Sequence, residues 1–329
     1  MSFTIRKNNS QEDITFLCKS CFQTAKDTQA IQYNSLKEQN PDKNEEELFV
    51  LFSEEIVESF DFTREDCRIY IIEDEKNAKL GYIWVAIRDS EDSWDLERPL
   101  WIFDISVLPK YRRRGLARQL LNKAEEFAVE LGRNIGLFVH EHNKSAISLY
   151  KSSGYKIKMT PVSLKLTDAE KTRASSTKFT LREAEDKDET SIFDLGLSTF
   201  KRLVRYSIDA SDEAIIKKYR NNNEKFDEKS KRYSKYVVES ADNEIVAFVL
   251  VGVAYFSDEV GLLYDAAIKQ DRNTNDLQSM LLRCFRDWSF ERGLSTAYIL
   301  LHTEEDISRE ICSEMRFKVP GYFMEKKLK

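Results

Sequence analysis

Apolar positions along the chain alternate between two kinds of run. Short blocks of strand character, Arg68 to Glu73, Leu80 to Ile87, Leu100 to Val107 and Ile135 to Val139, are interleaved with stretches whose apolar residues recur every three or four positions. The clearest of these are Leu116 to Leu131 and Ser145 to Ser152. Near the start, Ile14, Leu17, Cys18, Cys21 and Phe22 have the spacing of one helical face. The run Pro41 to Glu47 before Leu48 sets carboxylates at the positive end of a further helix. Strands interleaved with helices predict an α/β fold of α+β type, a mixed sheet covered by helices.

The pattern occurs twice. Ser2-Phe3-Thr4-Ile5-Arg6-Lys7 returns as Lys178-Phe179-Thr180-Leu181-Arg182-Glu183. Leu116, Leu120, Leu121, Phe127 and Gly132 align with Leu277, Leu281, Leu282, Trp288 and Gly293 at a constant offset of 161. One residue later in register, Val139-His140 matches Leu301-His302, and Tyr155-Lys156-Ile157 matches Phe317-Lys318-Val319. The polar run Asp168 to Thr177 has no apolar period and reads as a linker. Two tandem domains of one architecture are expected, 1–167 and 178–329, each a twisted mixed sheet flanked by helices, joined by 168–177.

Composition then removes several classes of function. The longest uninterrupted apolar run, Ile245 to Phe256, is well short of the ~20 residues that cross a bilayer, so no membrane span is expected. The opening residues lack the basic-then-apolar run of a secretory signal, so the expected location is cytoplasmic. With 51 basic against 57 acidic residues the formal charge is -6, which gives no global attraction to nucleic acid, and any anion must be held locally. Five cysteines make a disulfide framework improbable, and Cys18 and Cys21 read as core thiols on a helical face. Three histidines, dispersed from the cysteines, argue against a metal site.

Chemistry concentrates where the strand Leu100 to Val107 runs through Leu108-Pro109-Lys110-Tyr111-Arg112-Arg113-Arg114-Gly115 into the helix at Leu116. The first N–H groups of a helix lack intrahelical acceptors, and the macrodipole makes that end positive, which suits an anion. Gly115 lets backbone approach a bulky ligand, Ala117 keeps the next turn thin, and Arg112, Arg113, Arg114 and Arg118 add charge. Neither a Walker loop nor a dinucleotide fingerprint is present. Taken alone, Lys110 to Arg114 reads equally as a solvated basic face or a nucleic-acid patch.

In context, Val107-x-Pro109-x-Tyr111-Arg112-Arg113-x-Gly115-x-Ala117 resembles the Arg/Gln-x-x-Gly-x-Gly/Ala signature of the GNAT superfamily of acyl-CoA N-acyltransferases. A second segment, Asn143-Lys144-Ser145-Ala146 through Tyr150 to Gly154-Tyr155, is similar to that family's Asn-x-x-Ala-x-x-x-Tyr-x-x-x-Gly-Phe/Tyr. The likeness is strong over 70–166 and weaker over 1–69. It implies acetyl-CoA as cosubstrate, held where the fourth and fifth strands splay apart, and an amine-bearing acceptor. The diphosphate would rest on main-chain N–H groups from Arg113 through Leu116 and Ala117 to Arg118. Main chain around Val107 would polarise the thioester carbonyl, and Asn143 and Ala146 would flank the pantetheine.

Acyl transfer by direct amine attack needs a proton for the departing thiolate and a base for the amine. The resemblance assigns the first role to Tyr150, whose other reading is an aromatic packing residue. For the base, Asp104 leads, alternating with Ile102 and Ser106 on one strand face; Glu141 and His140 are alternatives, and a structural role for Asp104 remains open. The acidic loop 89–97 could draw a cationic acceptor or simply be solvated. The rival reading is a non-catalytic acyl-CoA-binding or scaffold protein, monomeric or homodimeric as the enzyme would be.

In the second copy Arg112 meets Asn273, Gly115 meets Asp276 and Ala117 meets Gln278; with the later offset Tyr150 meets Cys312. A carboxylate beside a phosphate costs on the order of 1 to 4 kcal/mol at surface-like dielectric, before any steric block. The second copy is therefore expected to keep its core and lose its anion site.

Overall fold

The structure, a computed structural model, describes residues 2–27, 31–88, 98–166, 178–207, 209–224, 226, 232–255, 257–302 and 307–328. The expected linker 168–177 and acidic loop 89–97 lie outside the described residues. In chain order the first half contains β1 (Phe3–Lys7), α1 (Gln11–Asp27), α2 (Ile31–Gln39), α3 (Glu45–Ser59), β2 (Cys67–Asp74), β3 (Lys79–Ile87) and β4 (Leu100–Val107). It continues with α4 (Leu116–Glu130), β5 (Ile135–His140), α5 (Lys144–Ser152) and β6 (Lys156–Lys165). The second half contains β7 (Phe179–Glu183), α6 (Glu189–Ser207), α7 (Asp212–Asn223), β8 (Tyr233–Ser240), β9 (Ile245–Val253) and β10 (Val260–Ile268). After these come α8 (Asn275–Glu291), β11 (Thr296–His302), α9 (Arg309–Glu314) and β12 (Gly321–Lys326).

Local chemistry sets the helix ends. Asn44 caps α3 by accepting from the Glu46 and Glu47 N–H groups, while the Glu47 carboxylate accepts from the Asn44 N–H at 2.8 Å, closing a capping box. The stripe Leu116, Leu120, Leu121, Ala124, Phe127 and Ala128 buries one face of α4. The repeat carries the corresponding stripe on α8, and both helices run out at a left-handed glycine, Gly132 and Gly293. β2 and β3 are apolar almost throughout because both their faces are covered, by α4 on one side and by α1 and α3 on the other. A second sign of duplication is ionic. Arg6 bridges Asp13 and Glu73, each at 2.7 Å, and Arg182 bridges Asp188 and Glu239 in the same places of the second half.

The two expected sheets join into one. Its twelve strands run β1-β2-β3-β4-β5-β12-β6-β11-β10-β9-β8-β7. Among the described residues only β4·β5 and β10·β11 pair parallel, so the sheet is mixed. The closing strands are exchanged: β12, the last of the chain, pairs with β5 along its whole length, while β6 pairs with β11. β12 and β6 also pair with each other at the centre. Consequently Met324 of β12 is buried in the core of the first half, and Val162 and Leu164 of β6 are buried in the core of the second. Lys158–Glu325 and Lys326–Glu125, at 2.7 and 2.6 Å, add ion pairs across the exchange. Among the described residues no helix is long and apolar enough to cross a membrane.

The exchange predicts that Met324→Ala, a change near the end of the chain, destabilises the first half. Emptying a buried Met site costs about 2 to 5 kcal/mol. Denaturant unfolding followed by hydrogen exchange should show one cooperative transition shifted as a whole, with protection lost in β5 and α4. Two transitions of which only the later half moves would contradict the shared sheet.

Candidate active site

The site begins where the sheet fails to close. β4 and β5 pair only through Leu100↔Ile135, Trp101↔Gly136 and Ile102↔Leu137. Beyond Ile102, β4 follows β3 as far as Gly81↔Val107, and β5 follows β12 as far as His140↔Gly321, so the two strands part. The wedge leaves main-chain groups of β4 facing an opening rather than a neighbour. Gly81 is needed for this path: a Cβ there would lie 2.4 Å from the Ser106 carbonyl oxygen.

A β-bulge at Phe103 turns the strand. Trp84 pairs with Asp104 but Val85 with Ile102, leaving Phe103 as the extra residue. Asp104 and Ser106 therefore share a face with Tyr82 and Trp84, toward α1 and α3, while Ile102 points to the opposite core. The expected alternation of Ile102, Asp104 and Ser106 on one face is corrected at its first member, because the inserted residue breaks the two-residue period.

At the mouth of the wedge the turn is braced by its own side chains and backbone. The Leu108 N–H donates to Leu80 O at 2.8 Å, and Arg112 Nε donates to Val107 O at 2.9 Å. Arg112, expected on the anion, thus also pins the end of β4. Arg113 (φ +63°) and Gly115 (φ +80°) adopt left-handed backbone in the turn that leads into α4. No side chain caps α4, and the space above the Gly115 Cα is open. The Leu116 side chain is buried, so this residue can offer a ligand only its main chain; Ala117 is half-buried beside it. Arg113 and Arg114 are exposed, with Arg114 over the Tyr111 ring at 5.5 Å. Arg118 donates to Ser152 Oγ at 2.7 Å and ties α4 to the end of α5. Asn143 caps α5, accepting from the Ala146 N–H at 3.2 Å, so both residues stand at the start of the helix that carries Tyr150.

On the face toward α1, Asp104 is half-buried and accepts from the Tyr82 hydroxyl and from Cys21 Sγ, the latter at 3.3 Å. Burial pushes the Asp104 carboxyl above its ordinary value, against the opposing pull of these two donors. Tyr82 is fully buried, and its hydroxyl is pushed well up by burial and by the Asp104 charge. Cys21, expected as a core thiol, is instead a half-buried member of this cluster. Tyr150 lies under the sheet with its hydroxyl pushed up, first by burial and then by the Asp104 charge. Glu141 pairs with Lys144, and His140 stacks on His142, so neither alternative base joins Asp104. Tyr82 and Cys21 were hidden from sequence reasoning inside apolar runs; the match of Asp104 to Asp265 at the repeat offset is the signal that marks the cluster.

The second half repeats the wedge and fills the cradle. β10 and β11 pair over only four positions, and β10 bulges at Tyr264, the counterpart of Phe103. At the start of α8, however, Thr274 Oγ1 caps the Leu277 N–H. The buried Gln278 side chain donates to Asn273 at 2.9 Å and accepts from the Ser308 N–H at 2.9 Å. Side chains occupy the groups that α4 leaves uncapped. Cys312, where Tyr150 would stand, is buried.

Residues 30–155 match the sequence model of the acetyltransferase (GNAT) family. Over 88 residues the chain is 30% identical to the catalytic subunit NAA20 of the N-terminal acetyltransferase B complex of Arabidopsis thaliana, covering 26% of this chain and 48% of that one. Over 58 residues it is 45% identical to the uncharacterized N-acetyltransferase MJ1207 of Methanocaldococcus jannaschii, covering 17% and 26%. The chain thus spans about half or less of the length of these curated relatives. A GCN5-related N-acetyltransferase from Sphaerobacter thermophilus shares the fold over 98% of this chain and 95% of its own, with TM-score 0.54 and 13% identity.

Two glycines of the site predict different costs. Gly115→Ala meets open space and suffers only left-handed strain, about 1 to 2 kcal/mol. Gly81→Ala drives a methyl into backbone and should cost more. Chemical denaturation of both variants checks the order; an equal or reversed order contradicts the geometry.

Proposed function

Because the chain belongs to the GNAT superfamily of acyltransferases through residues 30–155, we propose that its first half transfers an acetyl group from acetyl-CoA to a primary amine. The observation that carries this reading is the continuous path from the open edge of β4 to the uncapped, Gly115-led start of α4. A long ligand with an anionic head and a thin arm fits such a path. The left-handed turn and α4 N–H groups would hold the diphosphate, with Arg113 and Arg114 adding charge. The free edge of β4 would hydrogen-bond the pantetheine and the thioester carbonyl. Acetyl-CoA supplies an activated acyl carbon; the amine nitrogen bonds to that carbon as the carbon–sulfur bond breaks.

The protein's own groups then act on the ammonium and on the departing sulfur, while the second proton lost by the attacking nitrogen passes to the thiolate and leaves it as a thiol. Asp104 takes a proton from the ammonium, directly or through water. Burial raises the carboxylate and lowers an ammonium beside it, which narrows the gap between them. Tyr150 faces the departing sulfur. A phenol held above its ordinary value of about 10 is a weaker acid than a thiol near 8.5, so the hydroxyl stabilises the thiolate by hydrogen bonding rather than by surrendering its proton outright. The second half would contribute β12 and structural support, with no cofactor of its own. The relative NAA20 is by name an N-terminal acetyltransferase subunit, which makes a peptide amino terminus one acceptor to test.

Calorimetry should find one coenzyme A per chain, with binding lost in Gly115→Asp. Incubation with acetyl-CoA and an amine panel should release free thiol above background. Binding without release for any amine would favour the scaffold reading; two coenzyme A per chain would contradict the filled second cradle. A pH profile adds a sign. The carboxylate is the active form and its pKa lies above the ordinary 3.8, so the rate at fixed ammonium concentration, well below the amine's own pKa, rises through that elevated value. Tyr82→Phe removes a donor that favours the carboxylate, and the rise should move to higher pH. No movement, or movement to lower pH, would remove Asp104 from the mechanism.

A further inference from the structure

The bulge at Phe103 does more than turn the strand. By inserting one residue it sets two successive side chains, Phe103 and Asp104, on the same face of β4. The Phe103 ring stacks on Trp84 at 4.7 Å, and Phe60 meets both edge-on at 5.3 and 4.8 Å. Phe62 extends the cluster against Phe60 and Trp84, each at 5.2 Å. Trp84 is buried and supports the wall from behind, whereas Phe103 is 36% exposed at its surface. A carboxylate thus stands next in sequence to an open aromatic surface.

The second half shows what the same position looks like when closed. Tyr264 occupies the bulge of β10, its ring packs edge-on against Phe226 and Tyr233 at 4.9 and 5.4 Å, and its hydroxyl donates to Val253 O at 3.0 Å. The half with the filled cradle also satisfies its bulged aromatic internally. The half with the open cradle leaves Phe103 exposed. Charge points the same way: Asp104 accepts from a phenol, a thiol and the Ile105 backbone, and among the described residues no lysine or arginine pairs with it. A half-buried carboxylate without a basic neighbour is complementary to a cation brought by a ligand.

We infer that the acceptor is a primary ammonium joined by a few bonds to a flat apolar group, which lies on the Phe103–Trp84–Phe60 wall while its nitrogen reaches Asp104. This deepens the acetyltransferase reading and rests on it. Phe103 is then a specificity-determining residue, and an acceptor that is all charge, such as a polyamine, wastes the wall. A small arylalkylamine and a peptide with an aromatic amino-terminal residue share this chemistry.

Ligand-observed NMR on the full chain, with and without saturating coenzyme A, separates the cases using phenethylamine, a short peptide beginning with Phe, and spermidine. Either aromatic amine should bind about tenfold tighter than spermidine, the worth of one good aromatic contact. Phe103→Ala should abolish that ratio and Phe103→Leu should reduce it, with coenzyme A affinity unchanged within twofold. Preference for phenethylamine or for the peptide identifies the source. Spermidine binding as tightly as both aromatics, an unchanged ratio in Phe103→Ala, or no aromatic amine binding in either state overturns the inference. Failure of the acetyltransferase reading would show separately, as absence of coenzyme A binding in the wild-type chain.

Discussion

The hydrogen bonding of β5 to β12 is the constraint on which the site depends. A strand that parts from one neighbour must be held by the other, or its free groups are lost to water and the edge frays. β4 is held by β3 through Val107, and β5 is held by β12 through His140, so the wedge between them can stay open without either strand becoming a loose edge. The clamp on β5 comes from the far end of the chain. The geometry of the wedge in the first half is thereby coupled to the folding of the second, even though the second leaves no uncapped helix start at α8.

Duplication with exchange gives the second half a reason to persist. Its core stripe on α8, its Arg182–Asp188–Glu239 bridge and its left-handed Gly293 repeat the first half closely. Its divergence is local: Thr274 and Gln278 cap and fill what Gly115 and Ala117 leave open. Tyr219 donates to Asp265 at 2.7 Å, so even the buried tyrosine–aspartate pair survives, supplied from α7 rather than from the strand that carries Tyr82. A fold can lose a binding site through a handful of side chains while its packing stays intact, because packing and phosphate recognition draw on different atoms.

Much of this was legible in the sequence. β4 spans Leu100 to Val107 as its apolar run indicates, α4 begins at Leu116 directly after Gly115, and the acidic run before Leu48 does start a helix, capped by Asn44. Helix periodicity and caps are local signals, so they survive translation into structure. The exchange of β6 and β12 is not local. Their segments alternate alike and could each close either half, and only three-dimensional packing selects the partner. The bulge at Phe103 was equally silent, since one inserted residue in an apolar strand leaves no mark on composition yet reverses the face of Ile102. Cys21 reads as one more apolar position on α1; its reach to Asp104 depends on how that helix crosses the sheet. The basic turn before α4 was legible as residue types, but the bracing roles of Arg112 and Arg118 required distances.

A crystal structure with bound acetyl-CoA tests the central claim most directly. Pantetheine density is expected between β4 and β5, the diphosphate against the turn 112–118, the sulfur beside Tyr150, and no such ligand between β10 and β11. Diphosphate density at any other surface, or a closed seam between β4 and β5 with the ligand present, would contradict it.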